Sequence, residues 1–182
     1  MEYSIKKLKK DFIAGKKLKY LLFWGHRKSH DGTITASCFS QWWHQSFEVD
    51  GITYPTAEHF MMAEKARLFN DKEAELRILK SASPGAAKSI GREVKRFDQK
   101  IWDENRLKIV VKGNYHKFSQ NPDLKTFLLN TKKRVLVEAS PLDKIWGIGL
   151  DKTNEFATIP VKWKGLNLLG FALMEVRDKL KG

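Results

Sequence analysis

One cysteine, Cys38, is too few for an internal disulfide. With that single thiol and five scattered histidines there is no zinc framework, and no metal site is expected. A small core or loop thiol is the expected role of Cys38, ahead of a nucleophile. No apolar run approaches the roughly 20 residues that span a bilayer, so no membrane partner is expected. The N-terminus has charge but no apolar core followed by small residues. It is therefore not a secretory signal, and a reducing cytoplasm is the expected compartment. There is no Walker or Rossmann glycine loop and no serine elbow, and nothing calls for an organic cofactor.

Acidic residues are also scarce. Asp and Glu number 21 against 34 Lys and Arg, which gives a formal net charge of +13 and a sequence pI of about 9.8. Such a balance attracts polyanions: nucleic acid, phosphorylated metabolites or an acidic surface. A lysine-rich composition also serves solubility alone, and charge does not choose among these. Nothing in the residues sets an oligomeric state.

What is present is globular. Hydrophobic residues make up 42% and aromatics 12% of 182 residues, enough for one domain with a sizeable core. The stretch Tyr54-Pro-Thr-Ala-Glu-His-Phe60, continuing to Phe69, organises the rest. Thr56 can cap a helix, and Glu58 then lies in its first turn, where the helix dipole favours an anion. Glu58 and Lys65 share a face two turns apart, roughly 10 Å along the axis. They can hold opposite ends of one polar ligand, or they can be two solvated charges.

Residues 1–19 form a lysine-rich extension: Lys6, Lys7, Lys9, Lys10, Lys16, Lys17 and Lys19. Ile5, Leu8, Phe12 and Ile13 recur at helical steps, so part of it is expected to be an amphipathic helix. The domain proper is expected over 20–182. Tyr20–Trp24 reads as a buried strand, and Phe47–Tyr54 as a hairpin turning at Asp50-Gly51. Asp71 and Ser83-Pro84 open further helices, the second with Gly91 near its end. A longer helix is expected from Gln99 to Lys117, and a short one follows Asn121-Pro122. Arg134–Ala139 reads as a strand, and a last helix covers Leu166–Leu180. Helices dominate and the strands do not alternate with them. The expected class is α+β, a mainly helical single domain with a few short strands.

Two further stretches carry candidate chemistry. Asp143-Lys-Ile-Trp-Gly-Ile-Gly149 supplies a carboxylate, a flat ring and two glycines that let backbone amides approach a phosphate or sugar. Trp146 can stack on a base, or it can be a core tryptophan beside a glycine turn. Trp102 can line a pocket, and Arg106 can grip a phosphate bidentately; a core ring and a surface ion pair are the plainer roles. Carboxylates, placed lysines and aromatics suit chemistry through a sugar oxocarbenium ion. They suit a pure binding pocket equally.

Taken together and in order, the motifs resemble the YbiA-like, or NADAR, family. The matching pieces are Phe23-Trp24, Phe39-Ser40, Asp50-Gly51, Tyr54–Phe60, Lys65-Ala66, Ser83-Pro84, Lys117-Phe118 and Asn121-Pro-Asp-Leu124. They continue with Leu128-Leu-Asn-Thr131, Val137-Glu138, Asp143, Trp146-Gly-Ile-Gly149, Gly165-Leu-Asn-Leu-Leu-Gly170 and Leu173-Met-Glu-Val-Arg177. The resemblance implies a mainly helical α+β fold and hydrolysis of N-glycosidic bonds. Some members cleave ribosylaminopyrimidine phosphates, early intermediates of riboflavin synthesis. Others remove ADP-ribose from guanine in nucleic acid. By position Glu58 matches the family's central glutamate, Lys65 its helix lysine, Asp143 and Trp146 its late acidic and stacking pair, and Trp102 its flanking aromatic.

On this reading Glu58, Lys65 and Asp143 are catalytic. Trp102, Trp146, Gly147, Gly149, Arg106, Phe23 and Trp24 bind a phosphorylated ribosyl or ADP-ribosyl substrate, with nucleic acid as a partner through the basic surface. The alternatives are a non-catalytic ADP-ribose or nucleotide module and a basic nucleic-acid-binding protein. Gln41-Trp42-Trp43-His44 and Met61-Met62 depart from the family pattern and are expected to reshape the substrate mouth.

Overall fold

The structure, a computed structural model, describes residues 3–182. In chain order the elements are α1 (Ile5–Ile13), β1 (Tyr20–Phe23), a 3-10 turn (Ala36–Phe39), β2 (Phe47–Val49) and β3 (Ile52–Tyr54). Then come α2 (Ala57–Leu68), α3 (Lys72–Leu79), α4 (Pro84–Arg92), α5 (Gln99–Ser119), α6 (Pro122–Leu129), β4 (Val135–Glu138), a second 3-10 turn (Pro160–Lys162) and α7 (Leu168–Lys179). Helix dominates, and the class is the expected mainly helical α+β. The elements gather into two compact units. A central unit is continuous, Gln41–Asn121, and a terminal unit joins the chain up to Ser40 with Pro122–Gly182. Among the described residues no helix is long and apolar enough to cross a membrane.

In the central unit α2 is the axis. Eight of its twelve residues are buried, from Ala57 to Ala63 and at Ala66, so it is enclosed rather than laid on a surface. The helices α3, α4 and α5 all pack on it. Thr56 caps it by accepting from the His59 amide, as Asp71 and Ser83 cap α3 and α4 by accepting from Ala74 and Ala86. The β2–β3 hairpin turns through Asp50 and Gly51, both at positive φ, which is the conformation a two-residue hairpin loop requires. Phe47, Tyr54 and Phe60 stack beside it, with ring centroids 5.1 to 6.0 Å apart.

In the terminal unit β1 pairs with β4 in parallel, Tyr20 opposite Val135 and Phe23 opposite Glu138. The expected buried strand needs correction. Only Phe23 is buried, Tyr20 to Leu22 are half-buried, and Trp24 is 51% exposed, because a two-stranded sheet covers β1 on one side only. On β4's other side stands Asn167, in a left-handed conformation. Its Oδ1 accepts from the Glu138 amide at 2.9 Å, and its Nδ2 donates to the Leu136 carbonyl at 2.9 Å. One side chain thus takes the place of a neighbouring strand. Helix α7 packs on β4, and at Gly170 a Cβ would lie 2.1 Å from the Leu136 oxygen, so the approach requires glycine. Cys38 is buried, as expected. The helix α1 docks rather than frays: Leu8 is buried, α1 packs on the Pro160–Lys162 turn, and the Tyr3 hydroxyl donates to Asp178.

Candidate active site

The candidate residues fall into two sets, one in each unit. In the central unit Glu58 occupies the first turn of α2 and is only 3% exposed. Its amide donates to the Gln41 carbonyl at 3.0 Å. Gln41 is itself buried, and its Oε1 accepts from Asn114 Nδ2 at 2.8 Å. The Glu58 carboxyl is thus withdrawn from water at a helix N-terminus, where the helix dipole favours negative charge.

Two turns on, Lys65 Nζ donates to the Gly91 carbonyl at 2.7 Å. It lies 4.2 Å from the ring centroid of Phe97 and 5.6 Å from that of Trp102. Burial pushes the Lys65 ammonium below lysine's usual pKa range, and the charge of Arg92 adds to the effect. So Lys65 and Trp102, which the sequence places on separate helices, come together. Arg106 instead pairs with Asp103 one turn back, at 2.7 Å.

Phe97 is the residue that sequence reasoning missed. It is 41% exposed, edge-on to Phe69 at 5.2 Å, and follows Arg96, which sits at φ 57°. Nothing local ties it to Lys65, 32 positions earlier. The turn that presents it is held by Arg96 donating to the Asn70 carbonyl and by the Lys95 amide donating to Asp71.

His59 was also unforeseen. It is buried, with Nδ1 2.7 Å from Thr56 Oγ1 and Nε2 3.2 Å from the Ser81 carbonyl. The carbonyl can only accept, so Nε2 carries the proton and the neutral ring accepts from Thr56. Burial lowers its pKa, against the pull of the Ser81 carbonyl and with help from His44.

Three of the residues that depart from the family pattern are placed by their neighbours. Met62 fills the space beside Gly91, Trp43 is buried, and Trp42 lies along α4 beside Gly85 and Lys88.

In the terminal unit the backbone brings the end of β1, the end of β4 and the 143–149 loop together. The Ala139 amide donates to the Phe23 carbonyl, and the Ile148 amide to the Glu138 carbonyl. Asp143 Oδ1 accepts from the amides of both Ile145 and Trp146, each at 2.8 Å, so it braces the turn that presents the Trp146 ring. Gly147 sits where a Cβ would come within 3.0 Å of the Glu138 and Asp143 carbonyls, and Gly149 is at φ 67°. Trp146 is half-buried and Trp24 exposed, whereas Phe23 is buried edge-on against Phe39 at 5.4 Å.

This fold has a solved counterpart. The NMR structure of the Escherichia coli protein YbiA matches with a TM-score of 0.70 and 30% identity, over 90% of this chain and 85% of that one. Among curated proteins, "N-glycosidase R617" of Acanthamoeba polyphaga mimivirus is 42% identical over 166 residues, 88% of this chain and 96% of the relative. "N-glycosidase YbiA" of E. coli K12 is 33% identical over 144 residues, 79% of each. The class is therefore that of the YbiA-like α+β proteins. More particularly, the NADAR domain model matches residues 22–181, and the chain belongs to the NADAR family.

Proposed function

We propose that this NADAR protein hydrolyses the C1–N bond of a phosphorylated ribosyl or ADP-ribosyl substrate. The relatives' shared name, N-glycosidase, supports the class of reaction. The observation that carries the reading is on α2: a buried carboxylate, Glu58, and a lysine of lowered pKa, Lys65, two turns apart with Phe97 and Trp102 against the lysine. As the bond breaks, C1 takes on oxocarbenium character that Glu58 stabilises, and Glu58 directs a water to C1. The base departs with one proton and the sugar keeps the hydroxyl. Asp143 acts by position, holding Trp146 for stacking.

In a second route through the same residues the sugar ring opens at C1, the neutral Lys65 amine adds there and the base leaves with a proton passed by Glu58, and water then hydrolyses the resulting lysine imine to free the sugar and the amine. A lowered lysine pKa favours it, because only the neutral amine is nucleophilic. Of the two substrate classes, ADP-ribosyl-guanine in nucleic acid is the one we favour, on the charge of +13. Ribosylaminopyrimidine phosphates are the other.

The test is release of ADP-ribose from an oligonucleotide carrying ADP-ribosyl-guanine, with wild type beside Glu58→Gln. Release by wild type and its loss in the variant is the expected result. Turnover of a ribosylaminopyrimidine phosphate alone would move the substrate to the small metabolite. Binding of ADP-ribose with no turnover of either would leave a non-catalytic module.

A further inference from the structure

The family match begins at residue 22, so α1 and its lysines lie outside it. Yet α1 is built into the terminal unit. It packs on the Pro160–Lys162 turn, its Leu8 is buried, and Tyr3 is tied to Asp178. Lys6, Lys9 and Lys10 stand three and four residues apart on this helix, and such like-charge spacing is mildly destabilising on its own. Among the described residues none of the three forms an ion pair.

The positive charge continues across the same unit. Lys162 ends the turn that α1 packs against, and Lys164 follows two residues later; both are exposed. The Lys164 amide donates to the Ile148 carbonyl, and the Leu166 amide to the Lys144 carbonyl, so this segment is laced to the Trp146 loop. A Cβ at Gly149 would stand 3.1 Å from both Lys144 Cγ and Lys164 Cβ, so these two stems flank that glycine. The acids nearby are mostly engaged. Asp143 braces the loop, Asp11 pairs with Lys16, Asp151 holds the Thr153 turn, and Asp178 takes Tyr3 and Lys181, while Glu155 is exposed.

We propose that Lys6, Lys9 and Lys10 of α1, with Lys162, Lys164 and Lys144, form a track for the phosphate backbone of a polynucleotide that leads to the Trp146 loop. A row of amines spread over an extended surface fits a repeating phosphate chain better than one small anion. A membrane surface fits less well. A basic helix binds lipid by burying its apolar face, and here Leu8 is already buried with Ile5 and Phe12 half-covered, which leaves Ile13 as the helix's one exposed apolar residue. The proposal rests on the reading of a nucleic-acid-borne substrate and names the surface that would hold it.

Binding of unmodified single-stranded and duplex oligonucleotides to the full chain, followed by fluorescence anisotropy across a salt series, tests it. The variants are Lys6→Gln/Lys9→Gln/Lys10→Gln and Lys162→Gln/Lys164→Gln. Each should keep the wild-type melting temperature, since the side chains are largely outside the core. The triple variant should weaken binding about tenfold and reduce the slope of log K against log salt by about 2 to 3, and the double variant by about 1 to 2. Unchanged affinity and slope in both variants would overturn the track. So would loss of binding to phosphatidylserine vesicles with oligonucleotide binding intact, which would make the surface a membrane one. Because the strands carry no ADP-ribose, failure here leaves the glycosidase reading untouched. Tight binding here, together with no release of ADP-ribose from the oligonucleotide carrying ADP-ribosyl-guanine, would strike that reading and not the track.

Discussion

Lys65 and Gly91 are joined by a 2.7 Å hydrogen bond, from the ammonium of α2 to a carbonyl of α4. A methyl group on the same glycine would have to push the Met62 side chain aside. A Cβ there would fall 2.1 Å from Met62 Sδ and 2.9 Å from its Cγ. Gly91 therefore fixes how closely α4 approaches α2, and through that distance where Lys65 is held.

Gly91→Ala should destabilise the protein by about 1 to 3 kcal/mol, the range for overpacking a core. Truncating the obstructing side chain with Met62→Ala should recover part of that loss, a coupling that denaturant melts of the two single variants and the double variant will read. Purely additive losses would mean that Met62 is not what the new methyl meets.

Lys65 should titrate below lysine's ordinary value, since burial and Arg92 both disfavour its charge. Competitive acetylation across a pH series, read by peptide mass spectrometry, measures this directly. Under turnover, borohydride should trap a sugar on Lys65 if the imine route operates. Absence of any adduct there, with turnover proceeding, removes that route and leaves the water mechanism.

Asp143 offers a separation of roles. Asparagine keeps an Oδ1 that can accept from the Ile145 and Trp146 amides; alanine does not. Asp143→Asn should keep KM close to wild type, with kcat within about threefold, a difference worth under 1 kcal/mol. Asp143→Ala should raise KM as the Trp146 turn loosens. A collapse of kcat in the asparagine variant would assign the carboxylate's charge to the reaction itself.

His59 couples stability to pH. Its folded-state pKa lies below its ordinary value, so the unfolded chain binds the proton more readily. Stability therefore falls as pH drops through about 6.5 and is fully present above it. Melting temperatures at pH 5 and pH 7.5 should differ more in wild type than in His59→Gln. An equal difference in both would show that other groups set the acid sensitivity.

What was legible in the sequence was whatever is local. Thr56, Asp71 and Ser83 each announce a helix because the side chain that caps lies three residues from the amide it satisfies. Asp50-Gly51 announces the hairpin for the same reason. Glu58 and Lys65 could be paired because one helix carries both. Phe97 could not, since its place beside Lys65 depends on how the turn between α4 and α5 folds back. The parallel β1–β4 register was equally hidden, because its partners are more than a hundred residues apart. Asn167 and Gly170 appeared only as pieces of a motif. Their reason is β4, which one completes and the other admits.

That distant strand pairing also sets an order of events in synthesis. Gln41–Asn121 is a continuous stretch whose contacts close among its own residues, so it can fold as it leaves the ribosome. Tyr20–Phe23 emerges earlier but has no partner until Val135–Glu138 arrives. The first strand made is thus among the last to be secured, because the loop closed by its pairing is long. Pulse-labelled hydrogen exchange during refolding should show α2 and α5 amides protected before those of β1, and simultaneous protection would contradict that order.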